Sequence, residues 1–381
     1  MISHRLEHFT ESVIRDMSQL AVIHHAVNLA QGFPDFPAPD EIKRAAVAAI
    51  MEDYNQYSIT WGGKELRNAI SQKAHKYNHI EADPETDITV TCGVTEALMA
   101  SMLALINEGD EVIIFEPFYE SYGPDSAVSG AIPQFVPLNH DFSINEEALV
   151  SAFNKKTRAL IINTPSNPCG KVFTKDELKL IADLCVEHDV IAVSDEIYEY
   201  IIFDGRKHIS IGSFDEMRDK TITLSGFSKT YSVTGWRIGY AIAEKTLSSA
   251  VRKVHDFLTV GAPTPLQCAC LTGLNFPDSY YKGHAAMYQR KRDYLHDTLT
   301  KAGFRCHLPE GAYYILADMP EGTEMDSLAY ARYLTNEIGV AAVPGTSFYH
   351  SELGKHKLRF TFSKKDETLQ EAARRLEKLN K

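Results

Sequence analysis

The chain has 381 residues, of which 44% are hydrophobic and 24% charged, and its formal net charge is -12 at pH 7. That length accommodates about two domains of usual size with ample core. The acidic balance, without any Lys/Arg block, argues against a surface that tracks nucleic-acid phosphates, and no stretch approaches the roughly 18 consecutive apolar residues of a membrane-spanning helix.

The N-terminal run Met1 to His8 holds no apolar segment of signal-peptide length. The six cysteines, Cys92, Cys169, Cys185, Cys268, Cys270 and Cys306, form no Cys-x-x-Cys and have no His cluster beside them. They are expected to be reduced thiols in a cytoplasmic protein that holds no metal.

The first forty residues include Phe33-Pro34-Asp35-Phe36-Pro37-Ala38-Pro39 and are too few and too proline-rich to fold alone. They are expected to pack against a smaller domain or to cross into a partner subunit. Apolar spacing then predicts amphipathic helices over 41–52 and 64–76, a strand over 88–91 and a helix over 95–106. A strand is predicted over 111–115, a helix over 146–153, a strand over 158–163 and a helix over 175–187. Strands over 190–194, 221–224 and 238–242 follow. This alternation implies an α/β fold whose mostly parallel sheet is covered on both faces, with ligands beyond the carboxyl ends of its strands. From about Tyr280 the character changes: a long helix over 279–302, strands over 304–307 and 313–317, a helix over 327–338, strands over 340–343 and 357–362, and a closing helix over 366–379. The expected division is a large domain over 42–280 and a smaller α+β domain over 281–381, joined by residues 1–41.

Chemistry concentrates in Ser225-Gly226-Phe227-Ser228-Lys229-Thr230-Tyr231, with Arg237 eight positions after Lys229. An amine held near a cation loses its proton more easily and becomes a nucleophile. A guanidinium also holds a phosphate through two parallel bonds. An amine with a phosphate cradle suggests a Schiff base to pyridoxal 5'-phosphate. That cofactor needs an anion at its ring nitrogen, and Asp195 or Glu196, after the apolar run Val190 to Val193, can supply it. Its ring oxygen needs donors, which Tyr198 and Asn167 can provide. Its phosphate needs backbone N–H groups at a helix start, as Gly93-Val94-Thr95 offers, together with Ser228. Tyr119 or Phe118 can stack on the ring, and Arg359 can fix a substrate carboxylate. Each of these, taken singly, is equally a turn, a helix cap, a core aromatic or an edge-strand arginine.

Taken together, the residues resemble the class I/II aminotransferases of fold type I, which depend on pyridoxal phosphate. The likeness covers essentially the whole chain. It rests on the lysine run Gly226 to Gly239, on Asn167-Pro168-Cys169-Gly170 and on Asp195-Glu196-Ile197-Tyr198. The resemblance implies a three-layer fold with a smaller α+β domain and a homodimer with active sites at the interface. By position it implies that Lys229 bonds the cofactor and later shuttles the Cα proton, that Asp195 pairs with the ring nitrogen, and that Asn167 and Tyr198 hold the ring oxygen. It makes Tyr119 the stacking aromatic, and Gly93, Val94, Thr95, Ser228 and Arg237 the phosphate cradle. Tyr57 matches a tyrosine that reaches the neighbouring subunit's phosphate, and Arg359, helped by Asn167 and the backbone of Gly32, matches the carboxylate clamp. Relatives often carry a second phosphate-binding serine where this chain has Gly226, and Ser225, one step earlier, is the expected substitute.

The runs Asn28 to Phe36, Glu116 to Tyr119 and Gly235 to Tyr240 are similar to the kynurenine, glutamine and methionine aminotransferase branch. Aromatics expected near the mouth, Phe33, Phe36, Tyr57, Trp61 and Tyr119, favour a large or apolar side chain on the amino donor. The resemblance implies an L-amino acid (methionine, aromatic or glutamine-like) and a 2-oxo acid as substrates. A β-lyase using the same residues is the alternative. A sensing domain of a transcriptional regulator would need an added basic DNA-binding unit, and a nicotinamide dehydrogenase would need Gly-x-Gly-x-x-Gly after a first strand.

Overall fold

The structure, a computed structural model, describes residues 3–380, so residues 1, 2 and 381 of the expected domain ranges lie outside it. The first half runs α1 (Val13–Ile23), β1 (Val27–Asn28), α2 (Asp40–Met51), α3 (Lys64–Lys73), β2 (Ile88–Thr91), α4 (Val94–Leu105), β3 (Glu111–Glu116), α5 (Tyr122–Ser129), β4 (Ile132–Pro137), α6 (Glu146–Ala152), β5 (Thr157–Asn163), α7 (Lys175–His188) and β6 (Ile191–Asp195). The second half runs β7 (Thr221–Gly226), β8 (Gly239–Ala243), α8 (Lys245–Thr259), α9 (Thr264–Leu274), α10 (Asp278–Lys301), β9 (Arg305–Cys306), β10 (Tyr314–Asp318), α11 (Ser327–Tyr333), β11 (Val340–Ala341), β12 (Val343–Pro344), β13 (Lys357–Thr361) and α12 (Asp366–Leu376).

Seven strands form the central sheet in the order β2-β8-β7-β6-β5-β3-β4. Only β8 runs against its neighbours β2 and β7. Runs such as Ala159 to Ile162 and Ile191 to Val193 are buried along their length because both faces of the sheet are covered. Strand pleating sends alternate residues to opposite layers. Val112, Ile114, Ile161 and Val193 join α4 and α8 in one cluster. Ile113, Phe115, Leu160, Ile162 and Ala192 join α6 and α7 in the other. The fold is therefore the expected three-layer α/β architecture. A second, antiparallel sheet has the order β12-β13-β10-β9, and β1 pairs with β11 in parallel, Val27 opposite Val340.

Six elements were not among the expected ones: α1, the two-residue β1, α5, β4, α8 and α9. Helix α5 carries Gly123 and Pro124 and has little helical signal. Strand β4 carries Pro133 and Pro137, which an edge strand tolerates because the missing N–H would face outward. Helix α9 is a mixture of small and apolar residues without an amphipathic stripe. Helix α8 does carry one (Leu247, Val251, Val254 and Leu258), and α1 has buried Met17 and Ala21 four apart behind a Ser12 cap. The single strand expected over 340–343 is split, β11 pairing with β1 and β12 with β13.

Candidate active site

The carboxyl ends of β3, β5, β6 and β7 bear, or lead into the loops that bear, Tyr119, Asn167, Asp195 and Tyr198, and Ser228 and Lys229. These residues line one cavity of about 650 Å³, together with Gly32, Val94, Thr95, Arg237 and Arg359. Five separate strand or helix ends and the second sheet thus converge on one volume.

Lys229 Nζ lies 5.8 Å from the Tyr198 ring centroid and 5.7 Å from that of Tyr313. Burial pushes its amine down to about 8, Arg237 adds to the effect, and Asp195 opposes it. Asp195 is buried, which pushes its carboxyl up to about 6 against the hydrogen bonds it accepts. Those bonds come from Tyr122 Oη to Oδ2 at 2.9 Å and from the Ile197 N–H to Oδ1 at 3.2 Å. The Tyr198 hydroxyl pairs with the Tyr314 hydroxyl at 3.2 Å, and burial holds the phenol well above its ordinary pKa, so it stays a donor.

Arg359 is wholly enclosed. Its Nη1 donates to Asn167 Oδ1 at 2.9 Å and its Nη2 to the Ala30 carbonyl at 2.7 Å. The guanidinium lies between the rings of Tyr314 and Phe348, 4.2 and 4.7 Å from their centroids. Its Nε has no protein partner, and among the described residues no carboxylate pairs with it. A buried cation without a counter-ion is costly, so the cavity is built to receive an anion there. Arg237, whose Nη1 donates to the Thr234 carbonyl at 3.0 Å, likewise has no carboxylate partner among the described residues. Gly93, at φ 85°, borders Arg237, and a Cβ there would stand 2.5 Å from Nη2. Only glycine lets the backbone come this close.

Three expectations differ from the structure. Ser225 does not line the cavity: the pleat of β7 turns its hydroxyl to the opposite layer, where it donates to Glu199 Oε1 at 2.6 Å. Gly226 has no room for a serine in its place, since a Cβ would stand 2.9 Å from Gly239 Cα. Phe36 and Trp61 are not wall residues either; Phe36 packs on Tyr288, and Trp61 lies under the Arg252 guanidinium. Tyr57 lies outside this chain's own cavity, 85% exposed.

Several wall residues escaped the sequence reading. Tyr122 directly precedes Gly123-Pro124 at the start of α5, Tyr314 lies on β10, and Ser12, Arg15, Glu120 and Ser121 also line the cavity. Tyr119 and Tyr122, three apart with rings edge to face at 5.8 Å, carried the one usable signal.

Comparison with known proteins agrees with this geometry. The family described as Aminotransferase class I and II matches residues 24–376. A kynurenine–oxoglutarate transaminase of Dictyostelium discoideum is 36% identical, with 100% of this chain and 96% of that protein covered. A methionine aminotransferase of Escherichia coli is 35% identical, with 98% and 97% covered. The solved structure of N-succinyldiaminopimelate aminotransferase from Mycobacterium tuberculosis superposes with a TM-score of 0.96 at 38% identity, covering 100% of both chains. A lysine, an aspartate and an unpaired arginine around one cavity, on this fold and in this company, make the chain a member of the class I and II aminotransferase family and a pyridoxal-phosphate-dependent transaminase.

Proposed function

We propose that the cavity moves the amino group of an L-amino acid with a large apolar, aromatic or amide-bearing side chain to a 2-oxo acid. The observation that carries this reading is Arg359, buried without a counter-ion in the cavity that holds Lys229 and Asp195.

The residues fit pyridoxal 5'-phosphate. The first-turn N–H groups of α4 at Val94 and Thr95 lack intrahelical acceptors and, with Gly93, Ser228 and Arg237, would hold its phosphate. Tyr119 would cover the ring face, Asn167 and Tyr198 would donate to the ring oxygen, and Asp195 would keep a proton on the ring nitrogen. Lys229 would be the point of covalent attachment. When bound, the cofactor supplies an electron sink that lets the substrate's Cα proton leave. Arg359, with Asn167 and the Gly32 backbone, binds the α-carboxylate and so orients the Cα–H bond toward Lys229, whose freed amine takes and returns the proton. Phe33, Tyr119 and Tyr314 give the wall an apolar character that suits the proposed side chains.

The elimination reading is not favoured, since the relatives named above are aminotransferases. Among the described residues no helix is long and apolar enough to cross a membrane, and the six free cysteines support placement in the cytoplasm. A boundary near 42 and 280 is supported by the two sheets, drawn from 88–243 and 305–361. A homodimer is supported by an apolar ridge of Tyr54, Tyr57, Ile59, Phe257, Leu258 and Val260, with Phe257 92% exposed. Its two segments are joined by the Thr60 hydroxyl bonding Asp256 at 3.1 Å. In that dimer Tyr57 reaches the neighbouring phosphate.

The test is Lys229→Ala. The variant is expected to lose the visible absorbance of the bound cofactor and nearly all turnover, while the wild type loses that absorbance only with its preferred amino acids across a panel. Turnover at the wild-type rate in the variant rejects the assignment.

A further inference from the structure

The segment from Leu29 to Phe33 runs along the cavity, and the carbonyls of all five residues are taken up by donors from elsewhere in the chain or within the segment. The Leu29 carbonyl accepts from the Thr361 N–H at 2.8 Å, Ala30 from Arg359 at 2.7 Å, and Gly32 from the Tyr313 hydroxyl at 2.7 Å. Lys364 Nζ takes both remaining carbonyls, Gln31 at 3.3 Å and Phe33 at 2.9 Å. On the donor side, the Ala30 and Gln31 N–H groups bond Asn28 Oδ1, and the Phe33 N–H bonds the Gln31 carbonyl. The Gly32 N–H is left with no protein acceptor among the described residues, and Gly32 lines the cavity. The strap is pressed so close that a Cβ on Gly32 would stand 1.8 Å from Tyr314 Oη.

Lys364 is an unusual residue to find in this place. It is 3% exposed, and its ammonium has no salt-bridge partner among the described residues. Its Nζ lies 4.3 Å from the Phe33 ring centroid. Burial pushes its amine down to about 8, with only Asp35 opposing. Asp35 itself is engaged by the Lys365 N–H and the Thr368 hydroxyl. Enclosing a lysine that meets only two carbonyls and a ring, with no counter-ion, is costly. Both carbonyls belong to one three-residue strap on the cavity wall.

We propose that Lys364 is a positioning residue for the substrate: it staples the carbonyls on either side of Gly32, so that the free Gly32 N–H stands as a second donor for the carboxylate held by Arg359, and it fixes the Phe33 ring as cavity wall. The inference rests on the reading of Arg359 as the carboxylate clamp. Lys364 touches neither substrate nor cofactor; it acts through Gly32 and Phe33.

The test compares holoenzymes carrying Lys364→Met and Lys364→Arg with the wild type. The probe is 3-phenylpropanoate, a carboxylate without an amino group, titrated through the shift it causes in the cofactor's absorbance. Lys364→Met is expected to raise the dissociation constant of the probe and the KM of the amino donor about tenfold, the loss of one charge-assisted hydrogen bond. Expected to stay at wild-type values are kcat, cofactor affinity and the unliganded spectrum, and Lys364→Arg recovers most of the binding. Should Lys364→Met not fold, Lys364→Gln, which keeps a donor but loses the charge, takes its place with the same expected split. Unchanged probe affinity in the Met or Gln variant overturns the proposal, as does a fall in kcat and cofactor affinity equal to the loss of probe binding. A wild type that shows no cofactor absorbance instead sinks the transaminase reading, so the two failures are separable.

Discussion

Lys229 is enclosed, and burial sets its chemistry first, with Arg237 and Asp195 acting on its charge in opposite directions. Burial and Arg237 lower its pKa to about 8 from the ordinary 10.5, while Asp195 pulls the other way. A lowered pKa means that the free amine, the form that attacks an aldehyde, is half populated near pH 8. Capture of pyridoxal phosphate by the apoprotein is therefore expected to quicken as pH rises and to level off above about 8, followed by stopped-flow absorbance; a midpoint near 10.5 contradicts the assigned surroundings. The same sign applies to folding. Between about 8 and 10.5 the unfolded chain binds the proton that the folded apoprotein has lost, so this group makes stability rise with pH across that window. Asp195 is tuned in the other direction: burial raises its carboxyl to about 6, and the hydrogen bond from the Tyr122 hydroxyl holds it from rising further.

At the scale of elements, the end of β6 and the turn after it have two chemical faces. Asp195 and Tyr198 belong to the cavity, whereas Glu196 and Glu199 point into the layer behind it. There Glu199 accepts from Lys73 Nζ at 2.5 Å, from Ser225 at 2.6 Å and from Asn78 at 2.8 Å. Glu196 accepts from Ser194 and Ser210 and meets His208 Nε2 at 2.7 Å. The ligand atoms of Glu196, Glu199 and His208 lie within 4.8 Å of one another, but Lys73 already supplies a cation to the group. Lys73 comes from the last turn of α3, so this cluster ties α3 to the ends of β6 and β7, the two strands that present Asp195 and Lys229. Lys73→Met leaves Glu199 buried without its cation and is expected to cost about 3–5 kcal/mol of stability by urea unfolding. A loss below about 1 kcal/mol, the range of an exposed pair, would show the cluster to be solvated.

At the scale of the whole molecule, the residues around Tyr57 and Phe257 form an apolar ridge that a single chain leaves exposed. Burying it in a symmetric dimer would carry Tyr57 to a neighbouring site. Sedimentation is expected to give twice the 42.6 kDa chain mass, and Phe257→Glu is expected to shift the protein toward monomer and weaken cofactor binding at least tenfold, because a charge is placed in the proposed interface. A monomeric wild type with full turnover removes Tyr57 from the mechanism. Much of the remainder was legible in the residues themselves. Asp195 with Tyr198, and Ser228 with Lys229 and Arg237, lie within a few positions of one another along the chain, and local spacing beyond a strand end is enough to bring such groups to one mouth. The alternating apolar runs likewise sufficed for a covered parallel sheet, because burial on both faces leaves a continuous hydrophobic signature. Other features were decided only when the chain closed on itself. Pleat parity, which a one-residue difference inverts, took Ser225 away from the cavity and put it on Glu199. Arg359 meets Asn167 and Ala30, distant in sequence, only because β13 carries it there, and Lys364 reaches the Gln31 and Phe33 carbonyls by the same route. Short-range pattern records which groups a segment can offer, whereas contacts between remote segments, set by sheet order and packing, determine which of those groups meet.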